Sequence, residues 1–291
     1  MLAGEVEHGA CQASALSDAE RRQGYALFCQ ARPRGDIVVE CREVGASKDV
    51  QIRTLPARVH RMQKLAPDIM LVELKLPAAE RLQFLAGQYI DLLPKTGGRR
   101  SFSMANAPHD DAVLQLHMRN YGGPFSTHVF TTMKERDILR FEGPLGTFYL
   151  RENSEKPAIL LASGTGFAPV KAMLEHAFHT HCARPLVLYW GARTRADLYM
   201  HDLVERWTRE HNNFKYVPVL SEPLAADHWS GRTGLVHQAA MKDIADMSGC
   251  QVYACGVPVM VDAAHRDFVA QCGLPEAEFY SDAFTPATPA A

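Results

Sequence analysis

Arg100-Ser101-Phe102-Ser103 decides how this sequence is read. The stretch puts a cation, a ring and a hydroxyl on one short run flanked by turn residues. An arginine can clamp a diphosphate through two hydrogen bonds. A phenylalanine can lie against a flat ring system. A serine hydroxyl can reach a ring nitrogen beyond it. A barrel strand with an exposed Arg and a buried Phe is equally ordinary, so the stretch takes its meaning from what stands around it.

The first companion is Met118-Arg119-Asn120-Tyr121-Gly122-Gly123-Pro124-Phe125-Ser126-Thr127. Ser126 predicts the opening of a helix over 128–133. Backbone N–H groups at a helix start attract anions, and paired glycines let a diphosphate approach the chain closely. A plain surface turn fits this segment as well when it is taken alone. The second companion is Gly164-Thr165-Gly166-Phe167-Ala168-Pro169, set between a buried-type strand at 158–162 and a helix at 169–178. A dinucleotide phosphate can lie on such a strand–turn–helix unit. Pro169 stands where a full G-x-G-x-x-G would have its third glycine. The third is Cys255-Gly256-Val257-Pro258, which ends one strand and starts a helix. That puts Cys255 at the carboxyl edge of a sheet, where ligands of this architecture bind. A buried structural cysteine is the plainer reading. A flavin-suited strand and a dinucleotide-suited turn together point to hydride transfer from a nicotinamide to a flavin.

Outward from these motifs the chain divides into three segments. Residues 1–52 form a small module, too short to bury an independent core. Ser17 and Glu20 have capping-box spacing, and 37–41 is a short β-like run. Residues 53–153 read as an antiparallel β-barrel. Val72, Leu74 and Leu76 alternate with Glu73 and Lys75, and further strands are expected at 88–93, 99–104, 113–119 and 138–142. Residues 154–291 alternate strands with helices, the pattern of a parallel, Rossmann-like α/β sheet. Its strands are expected at 158–162, 186–190, 216–220 and 252–255. A helix is expected over 196–210 behind Thr194 and Asp197, and another over 258–272, capped by Gly273.

Bulk properties narrow the function. The 291 residues are 47% hydrophobic and 22% charged, with net charge −2. That balance gives no electrostatic case for nucleic acid or an anionic membrane. No apolar run approaches the roughly 20 residues that span a bilayer. Residues 1–10 lack the basic and apolar regions of a secretory signal. Seven cysteines at irregular spacing argue against a disulfide framework and for a reducing cytoplasm.

The motifs, in this order and spacing, resemble the ferredoxin–NADP reductase superfamily over residues 54–284. Arg100-x-Phe102-Ser103 is similar to its flavin signature, with Phe in place of the frequent Tyr. The resemblance implies that Arg100 and Ser126 bind FAD phosphates, that Phe102 packs on the isoalloxazine, and that Ser103 contacts its reactive nitrogen. Met118, Arg119, Gly122, Gly123, Phe125 and Thr127 complete the implied FAD set. Gly164, Thr165, Gly166, Pro169, Arg193, Ser221 and Gly256 form the implied NAD(P)H set. Ser103 and Cys255 are the implied catalytic pair, and Tyr280, Asp282 and Phe284 fall where the family brings its C-terminal residues near the flavin. Arg193 and Arg195 could meet a 2′-phosphate or could simply be solvated; family analogy favours NADH.

The segment Gly24 to Pro33 resembles the end of a plant-type [2Fe–2S] ferredoxin domain, a partial β-grasp remnant, with Cys29 at the fourth cluster ligand. The C-x4-C-x2-C loop that supplies the other ligands is absent upstream. The resemblance therefore implies a ferredoxin-fused reductase, akin to CDP-6-deoxy-3,4-glucoseen reductase-like proteins and oxygenase reductase components, that lacks the front of its ferredoxin domain. A truncated gene model would explain this as well as a natural cluster-free protein. The [2Fe–2S] cluster is expected in full-length relatives and not in this chain, and no other metal is expected. The implied activity is FAD-dependent NAD(P)H oxidation with electrons passed to an oxygenase or dehydratase partner. A stand-alone flavin or quinone reductase and a non-catalytic dinucleotide-binding module are the alternatives.

Overall fold

The computed structural model describes residues 2–11, 16–28, 30–39 and 50–284. It comprises two compact units, Met1–Lys48 and Asp49–Ala291. In the first, β1 (Val6–Glu7) pairs antiparallel with β2 (Arg32–Pro33), and α1 (Asp18–Arg22) lies between them in sequence. The capping box expected at Ser17 is present: its hydroxyl accepts from Glu20 N at 3.3 Å, and its own N–H donates to the Glu20 carboxylate at 2.7 Å. Among the described residues of this unit, Leu16 is the one buried hydrophobic side chain. Cys29, the expected cluster ligand, lies outside the described residues, as does Cys41.

The second unit holds both halves of the expected architecture. Six antiparallel strands form the first sheet: β3 (Arg53–Ala66), β4 (Ile69–Lys75), β5 (Tyr89–Leu92), β6 (Arg100–Ser103), β7 (Leu114–Arg119) and β8 (Ile138–Leu145). Their order is β6-β5-β8-β3-β4-β7, and a Met104–Leu116 bridge brings the two ends together into a near-barrel. Inward positions alternate with outward ones: Leu55, Ala57 and Val59 are buried on β3, while Thr54, Pro56 and Arg58 are exposed. Ile90, Leu92, Met104, Leu114, Leu116 and Phe141 fill the interior. α2 (Pro124–Thr131) follows β7. It starts at Pro124 with Gly123 as its N-cap, two residues before the start expected at Ser126. The fixed φ of proline suits the first helical position, so Pro124 outranks the serine.

The other half is a six-stranded parallel sheet built from β9 (Ala158–Ser163), β10 (Leu186–Ala192), β11 (Phe214–Leu220), β12 (Arg232–Thr233), β13 (Gln251–Gly256) and β14 (Phe279–Ala283). The order β12-β11-β10-β9-β13-β14 reverses direction between β9 and β13. Such a switch point opens a crevice at the carboxyl ends of its strands. Helices α3 (Phe167–His179), α4 (His201–Glu210), α5 (Val236–Asp243) and α6 (Pro258–Cys272) cover the sheet. Gly273 closes α6 in the left-handed region at φ 68°, as its position predicts. Thr194 and Asp197 do form a capping box, but it closes a single 3-10 turn at Arg195–Asp197, and α4 starts later than expected. The intervening Leu198 is buried and Tyr199 is drawn toward the barrel, so tertiary contacts override the local helix signal.

The link between barrel and sheet is fastened by Arg151. Its guanidinium lies between the rings of Tyr149, 3.8 Å from the centroid, and Tyr280 of β14, at 4.5 Å. Tyr280 stacks on Tyr253 of β13 at 5.1 Å, and Tyr253 Oη accepts from Arg151 N at 3.0 Å. Among the described residues no helix is long and apolar enough to cross a membrane.

Candidate cofactor site

The end of β6 carries the deciding stretch. Ser103 pairs in register with Tyr89 of β5, and its side chain is buried. Its Oγ has no hydrogen-bond partner among the described residues. Burying an unpaired hydroxyl is costly, which marks this one as a group left for a ligand. Phe102 is half-buried and tilts against Phe125 of α2, with centroids 6.0 Å apart. Arg100 turns its guanidinium onto its neighbour's backbone, Nη1 donating to Arg99 O at 2.7 Å.

The paired glycines leave open space where a diphosphate would need it. A Cβ on Gly122 would meet nothing within 4 Å, and one on Gly123 only Ser126 Oγ, at 3.9 Å. No side chain caps the start of α2, so its first amides are free to face an anion. Ser126 Oγ donates to Gly123 O at 3.0 Å and steadies the turn, and Thr127 is exposed on the first turn. Met118 and Arg119 are committed elsewhere. Met118 is in the barrel core, and Arg119 pairs with Asp68 at 2.6 Å and Asp197 at 2.9 Å.

At the switch point, β9 runs into a 3-10 turn at Gly164–Gly166 and then into α3. A Cβ on Gly166 would lie 2.1 Å from Cys255 O, and one on Gly256 only 2.1 Å from Ser163 Oγ. Only glycine permits this contact, so the turn and the Cys255-Gly256 pair interlock. Ser163 Oγ accepts from Val257 N at 3.1 Å and pins the second loop. Thr165 is buried in this junction. Pro169 is buried within the first turn of α3. Cys255 is fully buried; burial pushes its thiol well above the ordinary value, and the Asp282 carboxylate adds to the effect.

The last strand completes the arrangement. Asp282 lies in register with Cys255, and Phe284 N donates to Gly256 O at 2.8 Å. Burial raises the Asp282 carboxyl to about 6, partly opposed by the Ser103 hydroxyl. Asp282 thus faces Ser103 across the two sheets, although the pair falls short of a well-formed hydrogen bond and Ser103 Oγ stays unsatisfied. Ser103, Thr165, Gly166, Cys255, Gly256, Asp282 and Phe284 are therefore brought to one crevice. Arg193 and Ser221 stand further along the sheet edge. Arg193 is exposed with Nη2 3.7 Å from Asp197, and Ser221 N donates to Ala192 O at 2.9 Å. A cavity of about 360 Å³ opens there between Pro67-Asp68 and Arg193, Asp197 and Glu222.

Sequence reading did not single out Ser163, Trp190, Tyr199 or His117. Ser163 directly precedes the glycine turn, and His117 shares the two-residue period of Arg119, so both had a positional signal. Trp190 and Tyr199 had none, because their roles depend on contacts between the two halves.

Residues 56–149 match the oxidoreductase FAD-binding domain family, and residues 160–266 match the oxidoreductase NAD-binding domain family. The CDP-6-deoxy-L-threo-D-glycero-4-hexulose-3-dehydrase reductase of Yersinia pestis is 39% identical over 287 residues, 98% of this chain and 85% of that protein. The chain belongs to the ferredoxin–NADP reductase superfamily. Within that superfamily the reductase is also 36% identical to the aromatic O-demethylase reductase subunit of Amycolatopsis, over 99% of this chain and 86% of that one. The crystal structure of the Amycolatopsis cytochrome P450 reductase GcoB superimposes with a TM-score of 0.81 at 35% identity, covering 99% of this chain and 86% of that chain. The reductase is an FAD-dependent NAD(P)H oxidoreductase, with its FAD-binding near-barrel ahead of a parallel-sheet NAD domain, as expected.

Proposed function

We propose that this reductase takes hydride from NADH and serves a cytoplasmic dehydratase or oxygenase partner. Relatives that match it over most of its length include a dehydrase reductase and reductase components of a phenol 2-monooxygenase and a terephthalate 1,2-dioxygenase. The observation that carries the site reading is the unpaired, buried Ser103 Oγ opposite the Cys255–Asp282 strand pair. In this reading the barrel holds FAD over about residues 53–153 and the sheet holds the nicotinamide dinucleotide over 154–291.

The residues present fit the two cofactors. FAD, when bound, accepts a hydride and releases electrons singly. Arg100, Gly122, Gly123 and the amides of α2 hold its diphosphate, and Phe102 with Phe125 flanks its ring. Ser103 offers its hydroxyl to the ring nitrogen. The Gly164–Gly166 turn takes the dinucleotide phosphates, while Thr165 and Gly256 frame the nicotinamide. Cys255 contributes a neutral, water-free wall, because its thiol keeps its proton. Asp282, with its carboxyl raised to about 6, holds a proton beside Ser103 at mildly acid pH and loses it at neutral pH.

Purified protein should carry FAD, released on denaturation, and NADH should bleach the flavin absorption anaerobically. The reduced protein should then pass electrons to a dehydratase or oxygenase component faster than to free flavin or quinone. A colourless protein that cannot be reconstituted with FAD overturns the cofactor assignment. Transfer to quinone alone overturns the partner.

A further inference from the structure

Strand β7 sends two side chains of one face out of the barrel and into the dinucleotide half. His117 is buried, and its Nδ1 lies 3.0 Å from Tyr199 Oη. Burial, with Lys171 nearby, pushes the imidazole down to about 3, so it is neutral. Tyr199 shows an edge to solvent but is enclosed around its hydroxyl, which keeps its proton. The two neutral groups therefore meet in a simple hydrogen bond.

Tyr199 carries that contact onward. It stands edge-on to Trp190 at 5.2 Å and to Phe167 at 6.1 Å. Trp190 lies flat on Phe167, with centroids 3.9 Å apart. The Trp190 indole N–H donates to Gly164 O at 3.1 Å, which fixes the first residue of the glycine turn in its left-handed conformation, φ 53°. Two residues along β7, Arg119 reaches the same turn from another side. Its Nη1 lies 3.0 Å from where a Cβ of Gly164 would stand, and it bridges Asp68 of the barrel to Asp197 of the sheet domain.

Neither half needs these polar groups for its own core, since each half has an apolar cluster of its own. His117 Nε2 is left without a partner, a cost that an apolar residue on β7 would avoid. The arrangement is accounted for if its purpose lies at the turn.

We propose that His117 and Arg119 are positioning residues: they hold the Gly164–Gly166 turn in place relative to the barrel, His117 through Tyr199 and Trp190, Arg119 through Asp197. This rests on the reading of that turn as the dinucleotide site. The barrel strand then sets where the nicotinamide arrives over the ring that Phe102 and Ser103 flank.

The test uses His117→Leu, His117→Gln and Tyr199→Phe, the last of which removes one oxygen and keeps every ring contact. Amide hydrogen exchange of the cofactor-free full chain is read over 160–170, with β13 as internal reference. Exchange across Gly164–Phe167 should be about tenfold faster in His117→Leu and Tyr199→Phe. It should return toward the wild-type rate in His117→Gln, whose amide can still accept from Tyr199. In the FAD-loaded protein, stopped-flow reduction should slow about tenfold in the first two variants, with FAD content kept. Wild-type exchange at the turn in a folded Tyr199→Phe protein overturns the proposal. A first control separates the two readings: NAD+ should slow exchange at the turn in the wild type. If it does not, the dinucleotide assignment fails and the proposal falls with it. If NAD+ protects the turn but the variants exchange like wild type, only the positioning role fails.

Discussion

Cys255 and Asp282 lie side by side in register on neighbouring parallel strands, and the carboxylate helps keep the thiol protonated. Burial acts in the same direction and is the larger cause. The cysteine that crowns the switch point is therefore a poor nucleophile, because the thiolate is the reactive form. Iodoacetamide at pH 8 should modify the part-exposed Cys182 and leave Cys255 untouched in the native protein. Mass-spectrometric recovery of alkylated Cys255 from folded protein would contradict this assignment.

Ser103 should matter to reduction more than to folding. Its hydroxyl makes no well-formed internal hydrogen bond and only partly favours the Asp282 carboxylate, so Ser103→Ala removes little that the fold uses. The expected result is flavin reduction slowed at least about tenfold, equivalent to roughly 1.4 kcal/mol of barrier, with FAD retained and thermal midpoint unchanged. An unaltered stopped-flow rate would reduce Ser103 to an ordinary barrel residue.

Asp282 and His117 shift in opposite directions and give opposite pH signatures. Asp282 is raised from 3.8 to about 6, so between those values the folded protein binds more protons than the unfolded chain. Its contribution is full below about pH 4 and is lost as pH rises through about 6. Asp282→Asn should therefore gain on wild type more at pH 7.5 than at pH 4.5. Thermal midpoints at the two values decide the matter; an equal difference at both would refute it.

His117 is lowered from 6.5 to about 3, so the unfolded chain binds the extra proton. Stability is lost as pH falls below about 6.5, by up to roughly 1.4 kcal/mol per pH unit. His117→Gln should flatten that acid slope. His109 is lowered in the same sense, by burial and then by its neighbours His179 and His176, so some slope will remain in the variant. Denaturant unfolding at pH 7 and pH 5 supplies the comparison, and parallel slopes for the two proteins would sink the claim.

Gly166→Ala isolates the interlock of the two loops. Gly166 has ordinary helical backbone, φ −58°, so alanine adds no strain there. The added carbon would meet Cys255 O at 2.1 Å and Gly256 Cα at 2.8 Å, and both are backbone. An overpacked site of this kind costs about 1–3 kcal/mol, and NADH binding should weaken with it. Gly122→Ala is the contrast: φ 77° with nothing near, a loss of about 1–2 kcal/mol from backbone strain alone. If the Gly166 variant binds NADH as tightly as wild type, the two loops are not locked together.

The fold was legible wherever burial imposed a period. β5, β7 and the four expected sheet strands β9, β10, β11 and β13 alternate or run apolar and lie within two residues of expectation, whereas β4 starts three residues before its alternating stretch and β14 was not expected as a strand. β3 escaped notice although it is the longest strand. Beyond Val59 it carries His60, Arg61, Gln63 and Lys64, and Pro56 interrupts its start, so neither an apolar run nor clean alternation marks it. α5 and the two-residue β12 were missed because short elements hold their shape by packing. At the site, positions that follow from local pattern were readable: Ser103 on β6, the paired glycines before α2 and Cys255 at the end of β13. The family resemblance places Arg119 in the FAD set. Its structural partners, Asp68 and Asp197, are far away in sequence, and no local pattern names them.

The stacking of Arg151 between Tyr149 and Tyr280 bears on how this protein can be divided in the laboratory. The rings come from the linker and from β14, so that strand is riveted to the middle of the chain. A fragment beginning at 154 would lack both the cation and one of its rings. Grafting a foreign dinucleotide half onto this barrel would meet the same obstacle unless its last strand brought a matching aromatic. Chimeras should therefore be joined so that linker and terminal strand come from one parent.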